Sequence, residues 1–290
     1  PEVGSESLDA SHGTWVAGIA VARVGNGVGV AGVAGGTFNQ PGCRAIQVVI
    51  GADGPDASLI DDAILYAIDR SARVLSLTFA VPADPAMLAA IDEAASRGVV
   101  MVAPSGNMLP DVPFPANHPR VIAVGGTNRD DAHWGVATAG PPVEISAPAY
   151  MIRTVDTAWG LWTVSGTSYA VPQVAAAAAL VLSWADCLDG QDVRSILRDT
   201  ATDIDEPGWD PRTGWGRLNV AAAVRRVATA VMPACRCRED LDGDGDVNGA
   251  DLGMLLAAWG DDDPLADLQA DGIVDGLDLG AWLASQGLCR

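Results

Sequence analysis

Three short stretches carry residue types that could act together on a carbonyl. Ser168 stands in Val164-Ser-Gly-Thr-Ser-Tyr-Ala-Val-Pro-Gln173, a small-residue turn that runs into an apolar block at residues 174–184. The pattern predicts a buried helix whose first turn carries a hydroxyl. Free backbone N–H groups and the positive end of the helix dipole converge at such a turn. Pro172 suits it, because its missing N–H would have no helical partner there. Taken alone, the stretch supports two readings: Ser168 is an N-cap, or it is a nucleophile whose developing oxyanion meets those N–H groups. His12 lies near the start of a second helical segment, Ser11-His-Gly-Thr-Trp-Val-Ala-Gly-Ile-Ala20. Asn107 closes Ala103-Pro-Ser-Gly-Asn107, just past an apolar run. A neutral imidazole can take the proton of a hydroxyl, and an amide can donate to a tetrahedral oxygen. His118 and His133 sit in loop-like surroundings and read as surface or structural residues.

A second set of residues could hold a hard cation. Asp240, Asp242, Asp244, Asn248 and Asp251 put oxygen ligands at positions 1, 3, 5, 9 and 12 of a loop. Gly245 falls at position 6, where a calcium loop turns sharply, and Asp246 at position 7 would offer its carbonyl. Val247, at position 8, is expected to pack or pair across to a second loop. That loop follows twenty-seven residues later, with Asp267, Gln269, Asp271, Asp275 and Asp278. Gln269 is a neutral ligand, so the second loop is expected to bind Ca2+ more weakly than the first. Helices are expected at 252–259 and 279–283. A solvated acidic tail is the bland alternative, and the regular spacing speaks against it.

The elements that must position these groups alternate. Apolar, β-branched runs at 45–50, 73–79, 99–102, 121–125 and 142–147 read as strands. Helical patterns occupy 56–69, 85–97, 191–200 and 221–231. Strands apolar on both faces between helices predict an α/β fold: a three-layer parallel sheet with helices on both faces. A small all-α C-terminal module with two EF-hand-like calcium loops would follow. The expected boundaries are 1–232 for the main domain, 233–238 for a linker and 239–290 for the module. Ligands of such sheets gather at the carboxyl ends of the strands, which is where His12, Asn107 and Ser168 fall in the pattern.

The net charge of −20 argues against nucleic acid or an anionic membrane as partner. Half of that charge lies in the last 56 residues, which hold thirteen acids and three Arg. No stretch reaches the roughly twenty apolar residues of a membrane span. No signal peptide is visible and the chain starts with Pro1, so a fragment or a processed protein is expected. Five cysteines occur. A bridge from Cys235 or Cys237 to Cys289 would suit a secreted protein in an oxidising compartment, and the odd count leaves a thiol over.

Ser-His-Gly-Thr at 11–14, Ser-Gly-Asn at 105–107 and Ser-Gly-Thr-Ser-Tyr-Ala-Val-Pro at 165–172 together resemble the subtilisin-like serine proteases, or subtilases (peptidase family S8). The resemblance covers residues 10–230. The family's usual HGTH is here His12-Gly-Thr-Trp15, and its GTSMAAP is Gly166-Thr-Ser-Tyr-Ala-Val-Pro172. It implies His12 as general base, Ser168 as nucleophile, and Asn107 as oxyanion donor beside the N–H of Ser168. A donor of that kind is worth about 3–4 kcal/mol, a figure measured in this same family. The resemblance also implies that Leu75, Ser76, Leu77, Thr78, Phe79 and Ala80 pair with an extended substrate backbone, and that residues 54–57 form the opposite wall. Chain order removes an α/β-hydrolase, which places its His after the nucleophile; every His here precedes Ser168.

The family's triad also needs an Asp about thirty residues before the His, and only eleven residues precede His12. Asp9, three residues away in an irregular segment, does not fill that place. The Asp, with a central strand, is expected upstream of Pro1, so this chain alone should fold poorly and react slowly. The C-terminal repeats, with Asp at loop position 12 and no helix before the first loop, resemble dockerin type I. That resemblance implies a calcium-dependent docking module with a cohesin-like protein as partner. Gly-Ala and Gly-Leu at loop positions 10–11 depart from the hydroxyl pair of cellulosomal dockerins and leave the partner open. The function expected is a secreted serine endopeptidase acting on protein or peptide. The alternative is a catalytically impaired protease-like scaffold that works through the docking module.

Overall fold

Four strands form one parallel sheet in the order β1-β2-β3-β4: Val74–Ser76, Val100–Pro104, Ile122–Thr127 and Val143–Pro148. The computed structural model describes residues 11–37, 39–51, 54–156, 160–231, 239–242, 246–263, 265–269, 271–284 and 287–288. Val74 pairs with Val100, Val102 with Ile122, and Ala123 with Val143, after which the β3–β4 register shifts by one residue. The inner strands β2 and β3 are buried at every position, as a sheet covered on both faces requires.

Side chains alternate across that sheet. Leu75, Met101, Ala103 and Ala123 point to the face covered by α2 (Ile60–Asp69) and α3 (Pro85–Ser96), where Ile60, Ile64, Met87 and Ile91 complete one core. The other face carries α4 (Thr167–Trp184), which contacts all four strands. Its run Ala175–Val181 is small enough for close approach, and Ala177, Ala178 and Val181 are fully buried. Local chemistry sets the helix starts. Asp84 caps α3 by accepting from Ala86 and Met87, with Pro85 in the first turn. Asp189 and Asp192 form a capping box for α5 (Gly190–Asp199). Helix α1 (Ser11–Val21) packs on α4, and on β5 (Ile152–Val155) of an antiparallel pair with β6 (Leu161–Val164). A further helix, α6 (Val220–Arg226), runs on into one π-helical turn. Among the described residues no helix is long and apolar enough to cross a membrane.

The chain divides into two compact units: Pro1–Trp184 with Leu188–Arg226, and Ala185–Cys187 with Val227–Arg290. In the second, α7 (Gly249–Ala257) and α8 (Gly276–Ala284) follow the two acidic loops, and a two-residue antiparallel pair joins β7 (Asp246–Val247) to β8 (Gly287–Leu288). Val247, Leu255, Leu268, Val274 and Trp282 form its core. The repeat shows in the hydrogen bonds. Asp251 accepts from the backbone N–H groups of Leu241, Asp242 and Asn248. Asp278, twenty-seven residues on, accepts from those of Gln269 and Asp275.

Several expectations are corrected. Residues 45–50 form no strand: they are mostly exposed and meet no ladder partner among the described residues. The strand expected at 73–79 ends at Ser76, and Leu77 makes one further bond, to the Val102 carbonyl. Pro172 is not in the first turn. The helix begins at Thr167, so Pro172 lies inside it and has no N–H to give the Ser168 carbonyl one turn back. Val247 packs in one core with Leu268 and Val274 of the second loop, as expected, but its backbone pairs with Gly287, and Val274 pairs with Gly260 and Asp261. The β7–β8 pair means the C-terminal unit is not purely helical. Cys43 is a free, half-buried thiol whose pKa burial raises. Cys187 is disulfide-bonded; Cys235, Cys237 and Cys289 lie outside the described residues.

Candidate active site

Asn107 follows the carboxyl end of β2, past a turn whose left-handed backbone favours glycine. Gly106 has φ +97°, and a Cβ there would come within 2.7 Å of Leu109 Cδ1. The Asn107 backbone then bridges to Ala137. Its side-chain Oδ1 accepts from the backbone N–H of Thr167 at 3.0 Å and from the Thr167 hydroxyl at 3.2 Å. The amide is thereby pinned by its oxygen at the start of α4, beside Ser168.

Ser168 is the second residue of α4 and is 6% exposed. Its neighbours spend their N–H groups: Thr167 on Asn107, and Tyr169 on the Gly166 carbonyl at 3.0 Å. Among the described residues, neither the N–H of Ser168 nor the NH2 of Asn107 has an acceptor. Two donors are thus left unused at one helix N-terminus, where an anion is favoured. Gln173 ties the same turn to the sheet, donating to the carbonyls of Pro148 at 2.7 Å and Tyr169 at 2.9 Å.

His12 is brought to this point by α1. Its ring lies 5.6 Å from that of Tyr169, the residue after Ser168. Gly18 lets α1 pack close on β5: a Cβ there would come within 2.6 Å of Thr154 Oγ1. Thr154 donates to the Trp15 carbonyl at 2.8 Å, and Trp15 Nε1 donates to Asp156 at 3.2 Å. The structure thus places His12 beside Tyr169 and Asn107 against Thr167, the two residues that flank Ser168 in α4.

Residues 75–80 run along the outer edge of β1 and beyond it. Leu75 and Leu77 turn into the core, whereas Ser76 and Ala80 are exposed. On the other proposed wall, Asp56 caps the single 3-10 turn Ala57–Leu59 by accepting from Ser58 at 3.0 Å. Asp9 lies outside the described residues. A groove of about 600 Å³ lined by His118, Arg198, Trp209 and Trp215 lies at the amino end of β4 and includes none of the three site residues. His133 is surface-facing, with Nδ1 at 3.1 Å from the Arg212 carbonyl. Sequence reasoning missed the Thr167 clamp, which joins residues sixty apart with no spacing to signal it, and the Trp15–Tyr169 contact, whose one signal was the change of residue type in each motif.

In the C-terminal unit, carboxylate oxygens of Asp240, Asp242 and Asp251 lie within 4.8 Å of one another, the one such acidic group among the described residues. Asp251 is fully buried. Burial pulls its pKa up, but the backbone N–H groups of Asn248, Asp242 and Leu241 outweigh it and hold the carboxyl below its usual range. Asp278 is held down in the same way by Asp275, Gln269 and Leu268. Asn248 caps α7 through the Ala250 N–H, and Asp246 stands exposed on β7. In the second loop Asp267 accepts from Asp271 and Gly272, and Asp271 and Asp275 each accept from a residue two further on. Asp244 lies outside the described residues.

Comparison with known proteins identifies the family of the first unit. The model of the subtilase family matches residues 4–216. Subtilisin of Bacillus pumilus is 33% identical over 221 residues, 74% of this chain and 78% of that one. Subtilisin BL of Lederbergia lenta is 34% identical over 218 residues, with 74% and 77% covered. Against Subtilisin E of Bacillus subtilis the identity is 32%, and the chain spans 56% of that protein's length. The solved structure of the prenylagaramide maturation protease PagA superposes with a TM-score of 0.62 at 25% identity, covering 78% of this chain and 84% of that one. The chain belongs to the subtilase family. Its C-terminal unit from Val227 lies beyond the matched residues.

Proposed function

We propose that the protein is a serine endopeptidase in which Ser168 is the nucleophile, His12 the general base and Asn107 the oxyanion donor. The observation that carries the reading is the pair of unused donors, Ser168 N–H and Asn107 NH2, flanking one hydroxyl at a helix N-terminus. His12 takes the Ser168 proton as Oγ attacks the scissile carbonyl carbon. The negative charge that develops on the carbonyl oxygen falls to those two donors. The C–N bond then breaks, His12 returns the proton to the leaving amine, and water releases the acyl group by the reverse sequence. The exposed edge at Ser76–Ala80 suits an extended peptide added as a strand, so the substrate class is protein or peptide.

The second part of the reading is a calcium-dependent docking or anchoring module, similar to dockerin type I, with a cohesin-like protein as its partner. Asp240, Asp242 and Asp251 fit a hard cation, because three carboxylate oxygens already converge. Asp244, Asp246 and Asn248 would complete the first loop. Asp267, Gln269, Asp271, Asp275 and Asp278 would hold a second, weaker ion. Bound Ca2+ would supply charge neutralisation and loop rigidity, with no part in peptide hydrolysis. The disulfide at Cys187 supports secretion into an oxidising compartment.

Hydrolysis of an extended peptide amide by the full chain tests the enzyme. The expected result is product release that Ser168→Ala abolishes and that Asn107→Leu lowers in kcat with little change in KM. Turnover untouched by Ser168→Ala would rule the reading out.

A further inference from the structure

We propose that Tyr169, braced by Trp15, is a positioning residue that fixes the orientation of the His12 imidazole. The role in catalysis rests on the protease reading above; the contact itself does not. The two catalytic motifs each depart from the family's usual form, with Trp15 at the second His of HGTH and Tyr169 at the Met of GTSMAAP. In the fold those two departures meet. The Tyr169 ring stands 6.3 Å from that of Trp15, edge-on at 62°, and 5.6 Å from that of His12, tilted at 48°. His12 and Trp15 are three residues apart on α1, hence neighbours on one helix face. A single ring from α4 therefore wedges against both.

The wedge is rigid. Tyr169 is 3% exposed and packs with Ile19 and Val164, against Val16 and Ile152. Trp15 is fixed at both ends, its indole N–H on Asp156 and its carbonyl on Thr154. A Met at position 169 would carry three rotatable bonds and adapt to the imidazole rather than direct it. A buried aromatic ring has two torsions and presents a wall. The last torsion of His is broad and two-fold, so an adjacent wall limits which way the ring nitrogens face. Through Trp15, that limit is tied to the β5–β6 ribbon.

The test compares the full chain with Tyr169→Phe, which keeps the ring, and Tyr169→Met, which restores the residue of the family motif. Two readouts are taken on each. The first is the NMR resonance of the His12 ring, which reports the ring current of residue 169 without any turnover. The second is the rate at which a fluorophosphonate modifies Ser168, with KM for a peptide amide alongside. Tyr169→Phe is expected to keep the resonance and to label within about twofold of the parent. Tyr169→Met is expected to move the resonance and to slow labelling about tenfold at unchanged KM. Labelling at the parent rate in folded Tyr169→Met overturns the proposal, as does an equal loss in both variants. The expected resonance pattern without any labelling of the parent chain would uphold the ring contact and remove the protease reading instead.

Discussion

Thr167 holds Asn107 twice, its backbone N–H at 3.0 Å and its hydroxyl at 3.2 Å both reaching Oδ1. The clamp leaves the amide NH2 as the only group of that side chain free to meet a substrate oxygen. Thr167→Val removes the hydroxyl bond and spares the backbone one. Its expected effect is a fall in kcat of about threefold to tenfold with KM unchanged, since one net hydrogen bond is worth about 1 kcal/mol. Asn107→Leu removes the donor itself and should cost about 10²–10³ in kcat, the range measured for such a donor in a subtilisin. Equal effects of the two variants would show that Thr167 acts in some other way.

Gly18 is where α1, the helix that carries His12, meets β5. A methyl group there would stand 2.6 Å from Thr154 Oγ1 and 2.8 Å from Val155 Cγ2. Gly18→Ala is therefore expected to destabilise the fold by about 1–3 kcal/mol despite its better helix propensity. A urea melt reads the change, and a stabilised variant would mean that α1 does not pack as described.

Burial of the His118 ring, edge-on to Phe114, pushes its pKa below the ordinary 6.5; Asp92 raises it somewhat and Arg120 lowers it. Between the folded value and 6.5, the unfolded chain binds a proton that the folded chain refuses. The associated stability is thus present above the unfolded value and is lost as pH falls through the folded one. The ring is only half-buried, so the contribution is small. Urea midpoints taken from about pH 7 down to about pH 5 should fall less steeply in His118→Gln than in the parent. A steeper fall would reverse the sign.

Calcium removal separates two roles in the first acidic loop. Asp242 is exposed, so Asp242→Ala should leave the unit folded in chelator and weaken calcium about tenfold or more. Asp251 is buried and receives three backbone N–H groups. Asp251→Ala should therefore cost about 1–3 kcal/mol even without calcium. Thermal melts with calcium and with chelator check both, and calorimetry should show the loop with Gln269 binding more weakly. A chain whose melt is blind to calcium would leave the loops as hydrogen-bonded turns only.

What was legible in the sequence was mainly what is local. The buried helix after Ser168, the helices within 85–97 and 191–200, and the position of Asn107 just past a strand follow from runs and spacings that are local in the chain. Residues 45–50 look like a strand by composition, yet a strand exists only where a neighbour offers its ladder, and no described strand does. The β5–β6 pair escaped notice because its two halves are four residues each, too short for alternation to speak. Pro172 was misplaced because the helix starts earlier than its apolar run, at the Thr167 that Asn107 holds. The pairings Val247–Gly287 and Trp15–Asp156 join residues far apart in sequence, and no spacing rule encodes them.

The central claim is that Ser168 is an activated nucleophile. Treating the full chain with a fluorophosphonate and mapping the adduct by peptide mass spectrometry tests it most directly. The account predicts one phosphonylated residue, Ser168, with modification slowed by His12→Ala and unaffected by Ser165→Ala. No adduct on a folded chain, or an adduct at Ser168 that forms as fast without His12, would contradict it.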